Sequence, residues 1–210
     1  MKPRILIFTD SLGLPREMPE VVNHNETWVA LLEEKFQVVS LSFGGATIKQ
    51  LYSQIAYLKL CNPDFIIVQS GIVDCVPRAL GLLELEIVKK SKILTRLLKR
   101  KNVVKFLREK RKISYTSAEE FRQIVKGFKK NFDDKLYWVG IIPANQSYEQ
   151  QLLGVTNKIN DYNKIIEHLL MDNFINTSSF DSSFIMTDGI HLNRDGNKKL
   201  VQIIIDKLLI

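Results

Sequence analysis

The chain has 210 residues, 45% of them hydrophobic and 25% charged, and Lys+Arg exceed Asp+Glu to give a net charge of +7. This balance predicts one globular domain over residues 1–210 with a buried core, and it excludes a disordered tail or a small disulfide-stapled scaffold. The two cysteines, Cys61 and Cys75, are too few for a disulfide framework and lack zinc-site spacing, so they read as reduced or buried thiols of a cytoplasmic protein.

The first apolar run, Ile5–Phe8, follows Lys2, Pro3 and Arg4 and is too short for a signal peptide or a membrane span. It reads as a strand, as do Gln37–Ser42, Phe65–Gln69, Leu136–Ile142 and a weaker stretch at Phe174–Asn176. These runs are continuously apolar rather than alternating, which suits strands covered on both faces. Helix-period segments separate them: Thr27–Lys35, Thr47–Leu60, Asn157–Leu170 and Gly196–Leu209. A further helix opens at the capping box Ser117-Ala-Glu-Glu120 and carries Phe121, Ile124, Val125 and Phe128 on one face. The alternation predicts a three-layer α/β/α sandwich around a mainly parallel five-stranded sheet. No internal repeat or linker divides the chain.

Leu80–Lys112 interrupts the rhythm after the third strand. Ile93, Leu94, Leu97 and Leu98 form a helical apolar stripe, and Val103, Val104, Phe106 and Leu107 continue it after an expected break at Asn102. Twelve of the thirty Lys+Arg residues fall between Lys89 and Lys112, opposed only by Glu109, so the remainder is slightly acidic. A helical insertion with a basic face is expected. It is either a solvated face whose stripe packs on the body or a surface for an anionic partner: a membrane leaflet, an acidic glycan or a neighbouring subunit. Only Phe106 is interleaved with the charges and no reader motif is present, so specific nucleic-acid recognition is not indicated. Oligomeric state is not legible.

Ser11 directly follows the first strand, at the carboxyl end where open α/β sheets place their ligand crevices. Near the other terminus, Asp188-Gly-Ile-His191 sets a carboxylate three residues before an imidazole. In such a turn Asp188 accepts the Nδ1 proton of His191, leaving Nε2 to take a proton from a serine hydroxyl. Nucleophile, base and orienter are all present. No glycine-rich phosphate loop occurs, so no nucleotide cofactor is indicated, and His24 and His168 have no metal-ligand spacing. A phosphoacceptor role for Asp10 lacks the paired acidic residues it needs and leaves Asp188 and His191 unexplained.

These blocks resemble the SGNH or GDSL-type serine hydrolases. Thr9-Asp-Ser-Leu12 matches the Gly-Asp-Ser-Leu block at three of four positions, and Asp188-x-x-His191 matches the last block. Phe43-Gly-Gly-Ala-Thr47 falls where that family places an oxyanion-hole glycine; Gly45, nearer the next helix, is favoured over Gly44. The third block departs, because Gly71-Ile-Val-Asp74 has Val73 where the family has an Asn that donates to the oxyanion. Losing such a donor costs roughly 3–4 kcal/mol of transition-state stabilisation. Arg78 is the candidate substitute, against a reading as a surface or salt-bridged arginine.

The resemblance implies a flavodoxin-like sheet and an acyl-enzyme mechanism without cofactor or metal. Ser11, Asp188 and His191 are catalytic in this reading; Ser11, Gly45 and Arg78 form the oxyanion hole. Arg16, Asp74 and Asn145 are candidate substrate contacts, with Arg16 alternatively paired to Glu17 or Glu20. The longer stretches Ser11–Arg16, Gly71–Arg78 and Asp188–Asn193 resemble a subgroup from bacterial surface-polysaccharide biosynthesis. The implied substrate is an acyl, above all acetyl, ester of carbohydrate. Water as acceptor makes an esterase, and a sugar hydroxyl makes a transferase. The competing expectation is a glycan-binding or scaffold protein weakened at Val73. In this context the basic segment is expected to touch the inner leaflet, where lipid-linked sugars reside.

Overall fold

The computed structural model describes residues 2–98, 100–111 and 113–209, so Lys99 and Lys112 of the basic segment lie outside the described residues. The side chains of Leu82, Ile93, Leu97, Lys101 and Asn102 lie outside them as well. Five parallel strands form one sheet: β1 (Arg4–Thr9), β2 (Gln37–Ser42), β3 (Phe65–Gln69), β4 (Leu136–Val139) and β5 (Phe174–Ile175). Their order is β2-β1-β3-β4-β5, the doubly wound arrangement in which the chain reverses direction across the sheet between β1 and β3. Thr9 pairs with Ser42 and with Gln69, and Gln69 pairs with Val139, so the strands end level and their following loops converge.

The helices are α1 (Trp28–Leu31), α2 (Ile48–Tyr52), α3 (Ile55–Leu58), α4 (Ile72–Cys75), α5 (Leu82–Lys89), α6 (Lys92–Leu98), α7 (Lys101–Arg111), α8 (Ala118–Phe132), α9 (Gln146–Gln151), α10 (Val155–Leu170) and α11 (Arg194–Leu208). α1 packs on α11, while α8 packs between α2 and α10. The α8 face predicted from its spacing buries Phe121, Ile124, Val125 and Phe128. Phe128 meets Phe8 of β1 at 5.3 Å and Trp138 of β4 at 5.4 Å, both edge to face, the favoured geometry for aromatic pairs.

Three expected elements differ. The helix expected over Thr47–Leu60 divides at Ser53 and Gln54; the Ser53 hydroxyl donates to the Gln50 carbonyl at 2.7 Å, a back-bond that bends helices. The strand expected to reach Ile142 stops at Val139, because the side chain of Asn163 takes over Ile141, accepting its N–H at 2.7 Å and donating to its carbonyl at 2.9 Å. The insertion is three helices, and Asn102 lies inside α7 while the breaks fall before Lys92 and before Lys101.

The insertion's charge is unevenly placed. Lys89, Lys90, Lys92, Arg96, Arg100, Lys105 and Lys110 are exposed. Arg111 instead turns back to the body, donating to both carboxylate oxygens of Glu84 at 2.8 Å and to the Ala79 carbonyl at 3.0 Å. Among the described residues no helix is long and apolar enough to cross a membrane.

Candidate active site

Ser11 opens a tight 3-10 turn, Ser11–Gly13, straight after β1. The Asp10 carboxylate accepts the Leu12 N–H at 2.9 Å and shapes the turn. The turn is tied to the far end of the chain through Trp28, whose indole N–H donates to the Leu12 carbonyl at 3.1 Å. The Trp28 backbone N–H in turn donates to the buried Asn197 side chain at 2.8 Å, and the Asn197 amide donates to the carbonyls of Leu192 and Asn193. One chain of buried hydrogen bonds therefore joins the loop of Ser11 to the loop of His191, 180 residues away.

In that second loop Met186 N–H donates to the His191 carbonyl at 2.7 Å, folding residues 184–193 back on themselves. Gly189 has a φ of +84°, and a Cβ there would stand 2.6 Å from both Asn145 Oδ1 and Tyr148 Cβ, so only glycine fits. The turn lets Asp188 Oδ1 accept the backbone N–H groups of Ile190 and His191 at 3.1 and 3.0 Å. Asp188 Oδ2 faces His191 Nδ1 at 2.6 Å, and His191 Nε2 faces Ser11 Oγ at 3.1 Å. Partial burial raises the Asp188 carboxyl, but the His191 side chain and the two backbone donors outweigh it and hold it down near 2. An ionised Asp188 accepts from Nδ1–H, which leaves Nε2 as the free base toward Ser11.

The other half of the site lies across the switch point. Gly45 is exposed, with a φ of +71°, in the turn after β2. Val73 lies in α4 and is nearly buried, so position 73 offers an apolar surface where a donor is expected. Arg78 Nη2 stands 3.4 Å from the Val73 carbonyl, and its guanidinium covers the Tyr115 ring at 4.7 Å. Arg16 approaches the same centre from the nucleophile side, donating to the Ser11 carbonyl at 3.4 Å. Glu20, an alternative partner for Arg16, instead accepts the Thr187 N–H at 3.0 Å.

Asp74 is placed differently from the expectation of a substrate contact. It is fully buried, and its oxygens accept the Ile48 N–H at 3.1 Å and the Thr116 hydroxyl, so it has no surface to offer a ligand. Asn145 spends its side-chain oxygen capping α9, accepting the Tyr148 N–H at 2.9 Å, and packs against Gly189. His24 and His168 are exposed and far from this constellation in role, and the buried Cys75 thiol is pushed up by burial into an inert form. Tyr148 of α9, whose Cβ lies against Gly189 of the Asp188–His191 turn, was not singled out in the sequence. A cavity of about 500 Å³ lies at the opposite end of the sheet, around Lys59, Pro63 and Lys135.

Asp10 is the most perturbed carboxyl beside the nucleophile. Complete burial pushes it up to about 7; the Leu12 N–H and Arg16 oppose the rise, and Asp74 adds to it. The folded state holds a proton there that the unfolded chain releases above its ordinary value of 3.8. Stability from this group is therefore greatest below that pH and declines as pH rises toward about 7. Asp10→Asn keeps an acceptor for Leu12 and removes the titration. Urea unfolding across this range is expected to show a shallower decline in the variant, the residue of the slope belonging to Asp74, which burial raises to about 6. A decline as steep as wild type would contradict the assignment.

Comparison with protein-family models and with curated proteins finds no match. Solved structures do match in fold. A lipase/acylhydrolase from Enterococcus faecalis has a TM-score of 0.67 at 13% identity, covering 99% of this chain and 95% of that one. A protein assigned to the G-D-S-L lipolytic family, from Desulfitobacterium hafniense, has 0.65 at 15%, covering 99% and 100%. An acetylxylan esterase from Geobacillus stearothermophilus has 0.61 at 12%, covering 98% and 93%. The chain is thus built on the α/β/α fold that these three proteins share.

Proposed function

We propose that the protein is a serine esterase or O-acyltransferase acting on acyl, chiefly acetyl, esters of carbohydrate through an acyl-enzyme. The observation that carries this reading is the continuous relay from Asp188 through His191 to Ser11, at 2.6 and 3.1 Å. His191 Nε2 takes the hydroxyl proton as Ser11 Oγ bonds to the ester carbonyl carbon. The tetrahedral oxyanion is held by the backbone N–H groups of Ser11 and Gly45, with Arg78 supplying the donor that Val73 lacks. Collapse breaks the bond to the sugar oxygen, which leaves with the proton from His191. Water or a second sugar hydroxyl then attacks the acyl-Ser11 carbonyl with His191 again as base, and the acyl–Oγ bond breaks as His191 returns the proton to Ser11. Arg16 and Asn145 flank this centre and are assigned to the substrate. The acetylxylan esterase among the structural neighbours supports a carbohydrate ester, and the motif resemblance supports surface-polysaccharide biosynthesis.

Val73 favours a second reading, a glycan-binding scaffold that has lost turnover. Hydrolysis of p-nitrophenyl acetate separates the two. Ser11→Ala and His191→Ala are each expected to lose at least about a thousandfold in kcat, and Asp188→Asn to lose as much or less, since the three act as a unit. Equal rates for wild type and Ser11→Ala would leave only the scaffold.

The insertion gives this enzyme a peripheral surface. Leu83, Ile87 and Phe106 are exposed among its basic side chains, a combination suited to the interface of an anionic bilayer. Co-sedimentation with anionic but not neutral liposomes, weakening as salt is raised, is the expected behaviour; binding indifferent to lipid charge and salt would remove the electrostatic basis.

A further inference from the structure

Arg78 and Arg108 each carry a buried guanidinium Nε–H that meets no partner. Arg78 is fixed by its backbone, whose N–H donates to the Ile113 carbonyl at 2.7 Å, and by the Tyr115 ring beneath its side chain. Arg108 of α7 lines a small pocket with Pro77, Glu109 and Gln151–Leu153, where burial first and the charge of Arg78 second push its guanidinium down. Among the described residues neither arginine forms an ion pair, whereas Arg111, three positions along the same helix from Arg108, is bidentate to Glu84.

The nearby acids are already engaged. Asp74, whose field reaches Arg78, is held by Ile48 and Thr116, and Glu109 lies at 4.0 Å from Lys105. Arginine keeps its charge at any ordinary pH, so this pair cannot relieve its repulsion by losing a proton. Buried, unpaired donors on like charges are costly, and an oxyanion spanning both forks is the species that satisfies them.

Tyr148 links this pair to the catalytic turn. Arg78, Arg108 and Asp188 all act on its phenol, and its Cβ packs against Gly189, between Asp188 and His191. We propose that Arg108, with Arg78 beside it, forms an anion-recognition subsite for a carboxylate or phosphate carried by the sugar whose ester is presented to Ser11. The proposal rests on the esterase reading and adds the class of its substrate: an acylated anionic sugar rather than a neutral one such as xylose.

Matched mono-O-acetyl esters of a hexose, of its uronic acid and of its 6-phosphate provide the test, with p-nitrophenyl acetate as a neutral reference. Wild type is expected to show a kcat/KM about ten- to a hundredfold higher for at least one charged ester than for the neutral hexose ester, the span that a hydrogen-bonded charge pair commands. Whichever charged ester is preferred identifies the anion as carboxylate or phosphate. Arg108→Gln is expected to bring that ratio to about one, and Arg108→Lys, which keeps the charge but not the fork, to leave an intermediate ratio. A merely structural role would move all three substrates together. A wild-type ratio near one, or a ratio that survives Arg108→Gln, overturns the subsite while Ser11-dependent turnover of p-nitrophenyl acetate still upholds the esterase. Loss of that Ser11 dependence overturns the esterase reading itself.

Discussion

The carboxylate of Asp74 holds the Gly45 and Arg78 side of the candidate site in place. Taking a carboxylate out of water costs several kcal/mol unless donors replace the hydration, and here the Ile48 N–H and the Thr116 hydroxyl replace it. Each donor comes from a different segment. Ile48 begins α2, so it fixes the turn that carries Gly45; α2 is only five residues long and cannot hold that turn by itself. Thr116 precedes α8 and passes the constraint to Tyr162 of α10, whose hydroxyl donates to the Thr116 carbonyl at 2.5 Å. Arg78 lies in the field of the same carboxylate. The loops after β2 and β3 thus converge on one buried charge.

The Ser11 side is held by neutral hydrogen bonds instead. Trp28 and Asn197 bridge the Ser11 turn and the His191 loop without adding charge near Asp188, so Asp188 remains the anion that His191 senses. Between the halves lies Val73, an apolar residue where a donor would serve the chemistry. The positive charge of Arg78 enters from the insertion side, and the salt bridge between Arg111 and Glu84 anchors the helix that brings Arg108 beside it. The insertion is thus tied through Arg111 to Glu84 and to the Ala79 carbonyl while presenting a basic outer face.

Much of this was legible in the sequence because it is written in local signals. Apolar runs marked the strands, the fifth only weakly, although β2 at the sheet edge is partly exposed rather than covered on both faces, and the capping box at Ser117 marked α8. Ser11, Asp188 and His191 were readable because each sits in a short block whose internal spacing carries chemistry. Asp74 was visible as part of the third block but misassigned to substrate, since its burial follows from Thr116 and Ile48, residues remote in sequence with no periodic link to it. Arg108 was hidden among twelve basic residues that look alike until the packing of α7 buries its Nε–H. The division at Ser53 and the early end of β4 depend on single side-chain hydrogen bonds, from Ser53 and Asn163, that no periodicity encodes.

The relay from Asp188 to Ser11 is the claim on which the rest stands, and active-site labelling tests it most directly. A fluorophosphonate probe reacts with a serine whose oxygen is activated by a base, so peptide mapping of the adduct reads activation rather than turnover. The account predicts a single adduct on Ser11, formed by wild type and lost in His191→Ala while Ser11 is still present. An adduct at another serine, or equal labelling of Ser11 in wild type and His191→Ala, would contradict it.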